Sequence, residues 1–257
     1  MCGEVSGKDT EMGIGMLTVS HISKKRKQFE LRDVSFEVPA GYITGLAGKN
    51  GAGKSTLIQL ILGQLCADAG EICLGELKGS RDKSLLRDQT GFVLEKEHLF
   101  LRGKTAYENG DFFGPFYTKW DHSLYQKYLA DFGLSVTERK RLPVGSLSTG
   151  QYIRFQLAFA LAHHPRLLLL DEPTANLDPV FRMKFLTLLQ EAVEREEMAV
   201  LFATHITTDL DKIGDYLVVL DEGSVACKGT KEELFDTYQT NKVSEIILKG
   251  CGNHDTK

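Results

Sequence analysis

Residues Gly48 to Thr56 read Gly-Lys-Asn-Gly-Ala-Gly-Lys-Ser-Thr. Glycines at this density weaken a helix or a strand, and a lysine resists burial. Their neighbours explain them. Tyr42-Ile43-Thr44-Gly45-Leu46-Ala47 reads as a short buried strand, and Leu57, Ile58, Leu60, Ile61 and Leu65 have the crowded spacing of a helix packed on more than one side. The glycines therefore sit where a strand turns into a helix, and the chain must build an α/β layer around that junction.

The spacing from Gly48 to Gly53-Lys54-Ser55 fits G-x-x-x-x-G-K-[ST], the phosphate-binding P-loop. Glycines let successive backbone N–H groups converge on one point without Cβ clashes, and the helix N-terminus adds a partial positive charge there. Gly48, Lys49, Asn50, Gly51, Ala52, Gly53, Lys54, Ser55 and Thr56 are the candidate phosphate contacts. Lys54 has the reach for the β- and γ-phosphates, and the Ser55 hydroxyl is a candidate Mg²⁺ ligand. The loop implies a nucleotide without implying which reaction.

The chain of 257 residues suits one large α/β domain or a core plus a small insertion. A net charge of −4 does not suggest a broad nucleic-acid-binding face. The cysteines (Cys2, Cys66, Cys73, Cys227, Cys251) are odd in number and show no C-x-x-C pairing, which fits free thiols in a reducing compartment. No apolar run approaches a membrane span. The first residues lack a basic segment followed by an apolar one, so no secretory signal is read. Residues 1–15 are expected to form a loose tail, with Met12 and Met16 as candidate starts. The basic run Lys24-Lys25-Arg26-Lys27 reads as a solvated turn.

Alternating segments from Leu17 to Val38 predict a small antiparallel layer. Glu71–Leu74 and Gly91–Leu94 are further strand candidates. From about Glu97 to His164 the chain turns aromatic-rich and helical. Asp121 is placed to cap a helix carrying Leu124, Tyr125, Tyr128, Leu129 and Phe132 on one face. A second helix follows Ser148, with Ile153, Leu157, Ala160 and Leu161 on a stripe. The aromatics Phe112, Phe113, Phe116, Tyr117 and Trp120 are mostly core by default, and Phe100, Phe112, Phe113 and Phe116 are candidates for a docking surface where exposed. The core then resumes with the apolar run Leu167–Leu170, suited to a central parallel strand. A helix over about 180–195, a strand at Ala199–Ala203, a helix near Asp209 and strands at Tyr216–Leu220 and Ser224–Cys227 follow. Such alternation argues for a largely parallel sheet covered on both faces. Residues 250–257 are expected to be a flexible tail.

Three further segments carry chemistry. Leu167 to Pro173 reads LLLLDEP, a buried strand ending in two carboxylates. In a P-loop fold that end faces the phosphates, so Asp171 is a candidate Mg²⁺ ligand and Glu172 a candidate proton acceptor from water. Leu147-Ser148-Thr149-Gly150-Gln151 places a helix cap and a glycine where a backbone can approach a ligand, although capping alone would account for it. His205 follows a buried strand; a lone histidine there is usually structural, and its place at a strand end on the phosphate side raises the weight of a functional role.

Taken together, these residues resemble the ATP-binding subunit of ABC transporters, in the correct order and over nearly all of the chain from about Leu17 to Gly229. The resemblance implies a P-loop NTPase with a RecA-like core, a mostly parallel sheet, a small antiparallel layer and a helical subdomain (about residues 97–164) inserted in an ATPase domain of residues 16–249. It makes Gly48–Ser55 the Walker A motif, Leu147–Gln151 the signature, Leu167–Asp171 the Walker B strand, Glu172 the catalytic carboxylate, Ala175–Asp178 the D-loop and His205 the switch histidine. The implied cofactors are ATP and Mg²⁺, held in a head-to-tail sandwich of two subunits. Ser148, Gly150, Gln151 and Asp178 then act across the dimer, and Lys54 and Mg²⁺ offset phosphoryl charge. The implied partners are an integral membrane permease and a second ATPase subunit, with no nucleic acid, at the inner face of the cell membrane. The details look most like single-domain ATPases of bacterial ABC-2-type exporters.

The sequence departs from the pattern at three places. Glu95 stands where the family has the Q-loop glutamine, as a candidate catalytic group and metal ligand. Thr149 stands where glycine is common. The adenine-stacking aromatic falls at Arg26, with Phe29 as the alternative. A soluble ABC-type ATPase outside transport is the rival reading. The single P-loop and the lack of sustained heptads speak against its translation-factor and DNA-repair forms.

Overall fold

The computed structural model describes residues 17–26, 29–94, 99–135 and 141–251. Strands β1 (Leu17–Arg26) and β2 (Phe29–Val38) pair antiparallel, and β4 (Ala69–Leu74) flanks β1 on its other side. With the short β5 (Leu77–Lys78) they form a sheet of order β2-β1-β4-β5. This is the small antiparallel layer expected from the alternation. The basic run differs from expectation. Lys24, Lys25 and Arg26 lie within β1 rather than in a turn, and Lys24 Nζ donates to Asp68 Oδ1 at 2.6 Å. Lys27 lies outside the described residues.

The main sheet contains β3 (Ile43–Gly48), β6 (Thr90–Leu94), β7 (Leu167–Asp171), β8 (Ala199–Ala203), β9 (Tyr216–Asp221) and β10 (Ser224–Thr230), in the order β10-β9-β3-β8-β7-β6. Every pairing is parallel except that of β10 with β9. The run of leucines in β7 now has its reason. Leu167 and Leu169 pack toward the antiparallel layer, while Leu168 and Leu170 pack toward the helical side. A strand covered on both faces has no polar side to spare. Each such leucine contributes about 2 kcal/mol of burial.

Helix α1 (Lys54–Ile61) lies between the two sheets, with Leu57, Ile58, Leu60 and Ile61 all in the core it shares with them. Helix α2 (Lys83–Asp88) precedes β6. Between β6 and β7 the chain forms α3 (Ala106–Phe113), α4 (His122–Asp131) and α5 (Thr149–Leu161). Asp121 caps α4 by accepting from Leu124 N at 2.8 Å, and Ser148 caps α5, both as predicted. Helices α6 (Pro179–Glu196) and α7 (Thr207–Ile213) follow β7 and β8. Two further helices, not expected above, close the fold: α8 (Lys231–Tyr238), which Thr230 and Glu233 cap reciprocally, and α9 (Val243–Cys251). Gly250 and the buried Cys251 thus belong to a packed helix rather than to a tail.

The helical insertion is built around an aromatic cluster. Phe100 meets Phe155 and Phe159 edge-on at 4.6 and 5.0 Å, and the Tyr125 hydroxyl donates to Ala106 O at 2.7 Å. That hydrogen bond holds the Tyr125 ring against α3. A Cβ added at Gly110 would lie 2.2 Å from Tyr125 Cε1. Gly110→Ala gains about 1 kcal/mol of helix propensity but overpacks a pinned ring at a cost of about 1–3 kcal/mol. We expect net destabilisation in urea unfolding; a stabilised variant would show that the ring is free to move.

Candidate functional site

The glycine loop joins β3 to α1 in the way its sequence demands. Gly48, Gly51 and Gly53 have φ of 149°, 84° and 110°. A Cβ at Gly48 would lie 2.3 Å from Leu220 O, and one at Gly53 would lie 2.5 Å from Phe29 Cζ. Both positions therefore exclude a side chain as well as strain one. Helix α1 has no side-chain N-cap and no acid in its first turn. Its first N–H groups, at Lys54, Ser55 and Thr56, are thus left for an anion. Lys54 Nζ curls back to donate to Gly48 O at 2.8 Å and Lys49 O at 3.3 Å. Burial lowers the Lys54 pKa below the usual lysine value, while the carboxylates of Glu172 and Asp171 push it back up. A buried cation at an uncapped helix start fits a phosphate chain.

Asp171 ends β7 and Glu172 follows it in the left-handed region at φ 51°. That conformation is uncommon for a residue with a side chain. Glu172 N donates to Ala203 O at 2.9 Å, which carries the chain across the end of β8. The Glu172 carboxylate then accepts from Thr204 Oγ1 at 3.0 Å and from His205 N at 3.0 and 3.2 Å. His205 Nδ1 lies 2.8 Å from Glu172 Oε2, with the imidazole half exposed and the carboxylate mostly covered. The structure thus brings Lys54, Asp171, Glu172 and His205 to one end of the parallel sheet.

Among the described residues no three Asp, Glu, His or Cys side chains gather to hold a metal. Among the described residues, Asp171 and the Ser55 hydroxyl could hold a divalent ion as Mg²⁺ commonly binds, together with oxygens of a nucleotide. Glu95 lies outside the described residues.

A second concave surface is lined by Ser148, Thr149, Gly150, Gln151, Arg154, Asn176 and Asp178. Here Gln151 has a structural duty. Its Oε1 accepts from Ser148 N at 2.9 Å while Ser148 Oγ accepts from Gln151 N at 3.3 Å, a reciprocal cap of α5. Asp178 caps α6 through Phe181 N at 2.9 Å and accepts from Arg154 Nη2 at 2.6 Å. The Arg154 guanidinium also lies 3.7 Å over the Phe181 ring. Arg154 of α5 and Asp178, the cap of α6, are thus tied together along this surface.

Arg26 and Phe29 are register partners across β1 and β2, and both line a shallow pocket with Gly51. Arg26, the first expectation for the base platform, is exposed. The ring that stands against the P-loop is that of Phe29.

With this geometry in place, comparison with known proteins is decisive. A family model described as ABC transporter matches residues 31–175. The chain belongs to that family. It is 36% identical over 234 residues to the energy-coupling factor transporter ATP-binding protein EcfA2 of Symbiobacterium thermophilum, covering 87% of this chain and 80% of the relative. It is 35% identical over 231 residues to the uncharacterized ABC transporter ATP-binding protein YxlF of Bacillus subtilis, covering 88% and 75%. The solved structure of cbiO1 from Clostridium perfringens, part of the ABC transporter complex cbiONQ, superposes with a TM-score of 0.70 at 27% identity over 91% of this chain and 93% of that one. The protein is an ABC-type ATPase.

Other residues of this ABC ATPase escaped the sequence reading. Asp209 of α7 is fully buried and accepts from Thr174 Oγ1 at 2.6 Å and from Arg182 Nε and Nη2 at 2.9 and 2.7 Å. This network ties the segment after Glu172 to the helix after His205. Leaving a buried carboxylate without its cation costs about 3–5 kcal/mol. Arg182→Met should therefore destabilise the protein by about 3 kcal/mol in chemical denaturation. In an Asp209→Asn background the same change should cost about 1 kcal/mol, because only a hydrogen bond is then lost.

Proposed function

We propose that this protein is the subunit that binds and hydrolyses MgATP to energise transport through a separate membrane permease, working as an ATP-sandwiched pair. The carrying observation is the Glu172 carboxylate, clamped by Thr204 and His205 at the sheet end that holds Lys54. Held in this way, Glu172 accepts a proton from attacking water, and His205 positions that water. The P-loop N–H groups and Lys54 stabilise the phosphates, and Asp171 with Ser55 would hold Mg²⁺, which supplies further charge neutralisation. Ser148 and Gly150 face outward on the second concave surface. In the sandwich they contact the γ-phosphate bound to the other subunit, and its loss lets the pair open.

We expect Glu172→Gln to keep ATP affinity, to lose roughly 100- to 1,000-fold in turnover and to trap an ATP-bound dimer. Phosphate release and light scattering check this, and near-normal turnover would remove Glu172 from its role.

No helix among the described residues is long and apolar enough to cross a membrane. Membrane attachment then runs through the permease, at the inner face of the cell membrane. Of the aromatics considered for that contact, Phe100 is 8% exposed and belongs to the core, and Phe113 is half buried. Phe112 and Phe116 are 54% and 74% exposed and stack edge-on at 6.2 Å. They suit a short apolar helix of the permease, because large rings supply most of the energy at such contacts. Phe112→Asp and Phe116→Asp should shift stability by no more than about 0.5 kcal/mol. Both should reduce co-purification with the permease while leaving ATP binding intact. Normal co-purification of the folded variants would place the contact elsewhere.

We infer export as the direction, on the resemblance of the sequence to ATPases of ABC-2-type exporters; a relative named for linearmycin resistance, LnrL of Bacillus subtilis, is 29% identical over 238 residues. Import is the second reading, favoured by 31% identity over 234 residues to the methionine import ATP-binding protein MetN of Protochlamydia amoebophila. Transport assays in vesicles with the permease separate the two.

A further inference from the structure

Gln156 lies on α5 among buried apolar residues, with Phe155 before it and Leu157 after it, and is itself only 1% exposed. A buried amide in such surroundings is costly unless its hydrogen bonds are made. Gln156 makes both to one residue. Its Oε1 accepts from Leu94 N at 3.0 Å and its Nε2 donates to Leu94 O at 3.0 Å. The side chain thus mimics a peptide group added to the end of β6.

That place in the fold gives the contact meaning. Among the described residues β6 is the edge strand of the main sheet, with no further strand to pair with Leu94 on its outer side. Leu94 is also the register partner of Asp171 across β6 and β7. At the other end of the same helix, α5 begins at Ser148 on the signature surface, about two turns or ~11 Å from Gln156. One stiff helix therefore spans from the signature segment to the peptide beside the candidate metal-binding acid.

We propose that Gln156 is a positioning residue for ATP hydrolysis: it fastens the signature helix to the end of β6, so that engagement of nucleotide at the signature and the placement of Asp171 are set together. The proposal rests on the sandwich reading above. An ordinary core residue in this position would fill space but leave the Leu94 N–H and C=O unpaired. The amide keeps α5 and β6 in one register while the two halves of the site close on the nucleotide.

The test uses the full-length protein with Gln156→Met, which keeps length without hydrogen bonds, and Gln156→Glu, which keeps the acceptor but loses the donor. Thermal melts establish folding. We expect Gln156→Met to bind ATP like the parent when dilute, to lose about tenfold in kcat and to need about tenfold more Mg²⁺ for half-maximal turnover, as fits the loss of about one net hydrogen bond. Gln156→Glu, which sets an unpaired carboxylate against the Leu94 carbonyl, should be impaired at least as much as Gln156→Met. In the Glu172→Gln background, Gln156→Met should also raise the ATP concentration for dimer formation, read by light scattering. If Glu172→Gln alone forms no dimer, the sandwich reading fails, and the Mg²⁺ titration judges Gln156 by itself. A folded Gln156→Met with parental kcat and Mg²⁺ requirement overturns the proposal. If neither variant folds, Gln156 is a folding determinant and its positioning role is withdrawn.

Discussion

Burial of the central parallel strands on both faces is the constraint from which the rest of this structure follows. Nearly every side chain of β3, β7 and β8 is committed to one core or the other. Such strands can offer polar chemistry only where they end. Their carboxyl ends lie together, because the strands run parallel in register. Asp171, Glu172, Thr204 and the glycine loop meet there for that reason. A hydrophobic requirement has fixed the position of charged groups.

The second theme is how the charged groups are kept in place once there. Glu172 takes a backbone conformation that ordinary residues avoid, and it is held by bonds from the loop leaving the neighbouring strand. Asp209, Arg182 and Thr174 brace the same two loops from beneath. Lys54 is buried, its cation opposed by desolvation and sustained by two acids.

The helical insertion divides its aromatic residues by the same logic of supply and demand. Phe100, Tyr125, Phe155 and Phe159 fill a core that the short helices can just enclose. Among the described residues Phe112 and Phe116 are left more than half exposed. Gln156 is the polar exception inside that core, and its presence there is set by an unpaired peptide on a sheet edge rather than by packing.

Much of this was legible from the chain itself, for an identifiable reason. The P-loop, the two acids after the leucine run, the caps Asp121 and Ser148 and the strand at Ala199–Ala203 depend on residues within a few positions of one another, so local spacing encodes them. The helices α8 and α9 were missed although part of their signal is local: Thr230 and Glu233 form the reciprocal cap of α8 that T-x-x-E spacing encodes, and Val243 and Ile246 put an apolar stripe on α9. Nor could spacing distinguish Phe100 from Phe112, or Phe29 from Arg26 as the side chain against the P-loop. Gln156 meets Leu94 across 62 residues, and Arg182 meets Asp209 across 27. A hydrogen bond of that kind has no sequence period. It exists only because burial of apolar faces brings distant segments together, and the cost of leaving a buried polar group unpaired then selects its partner.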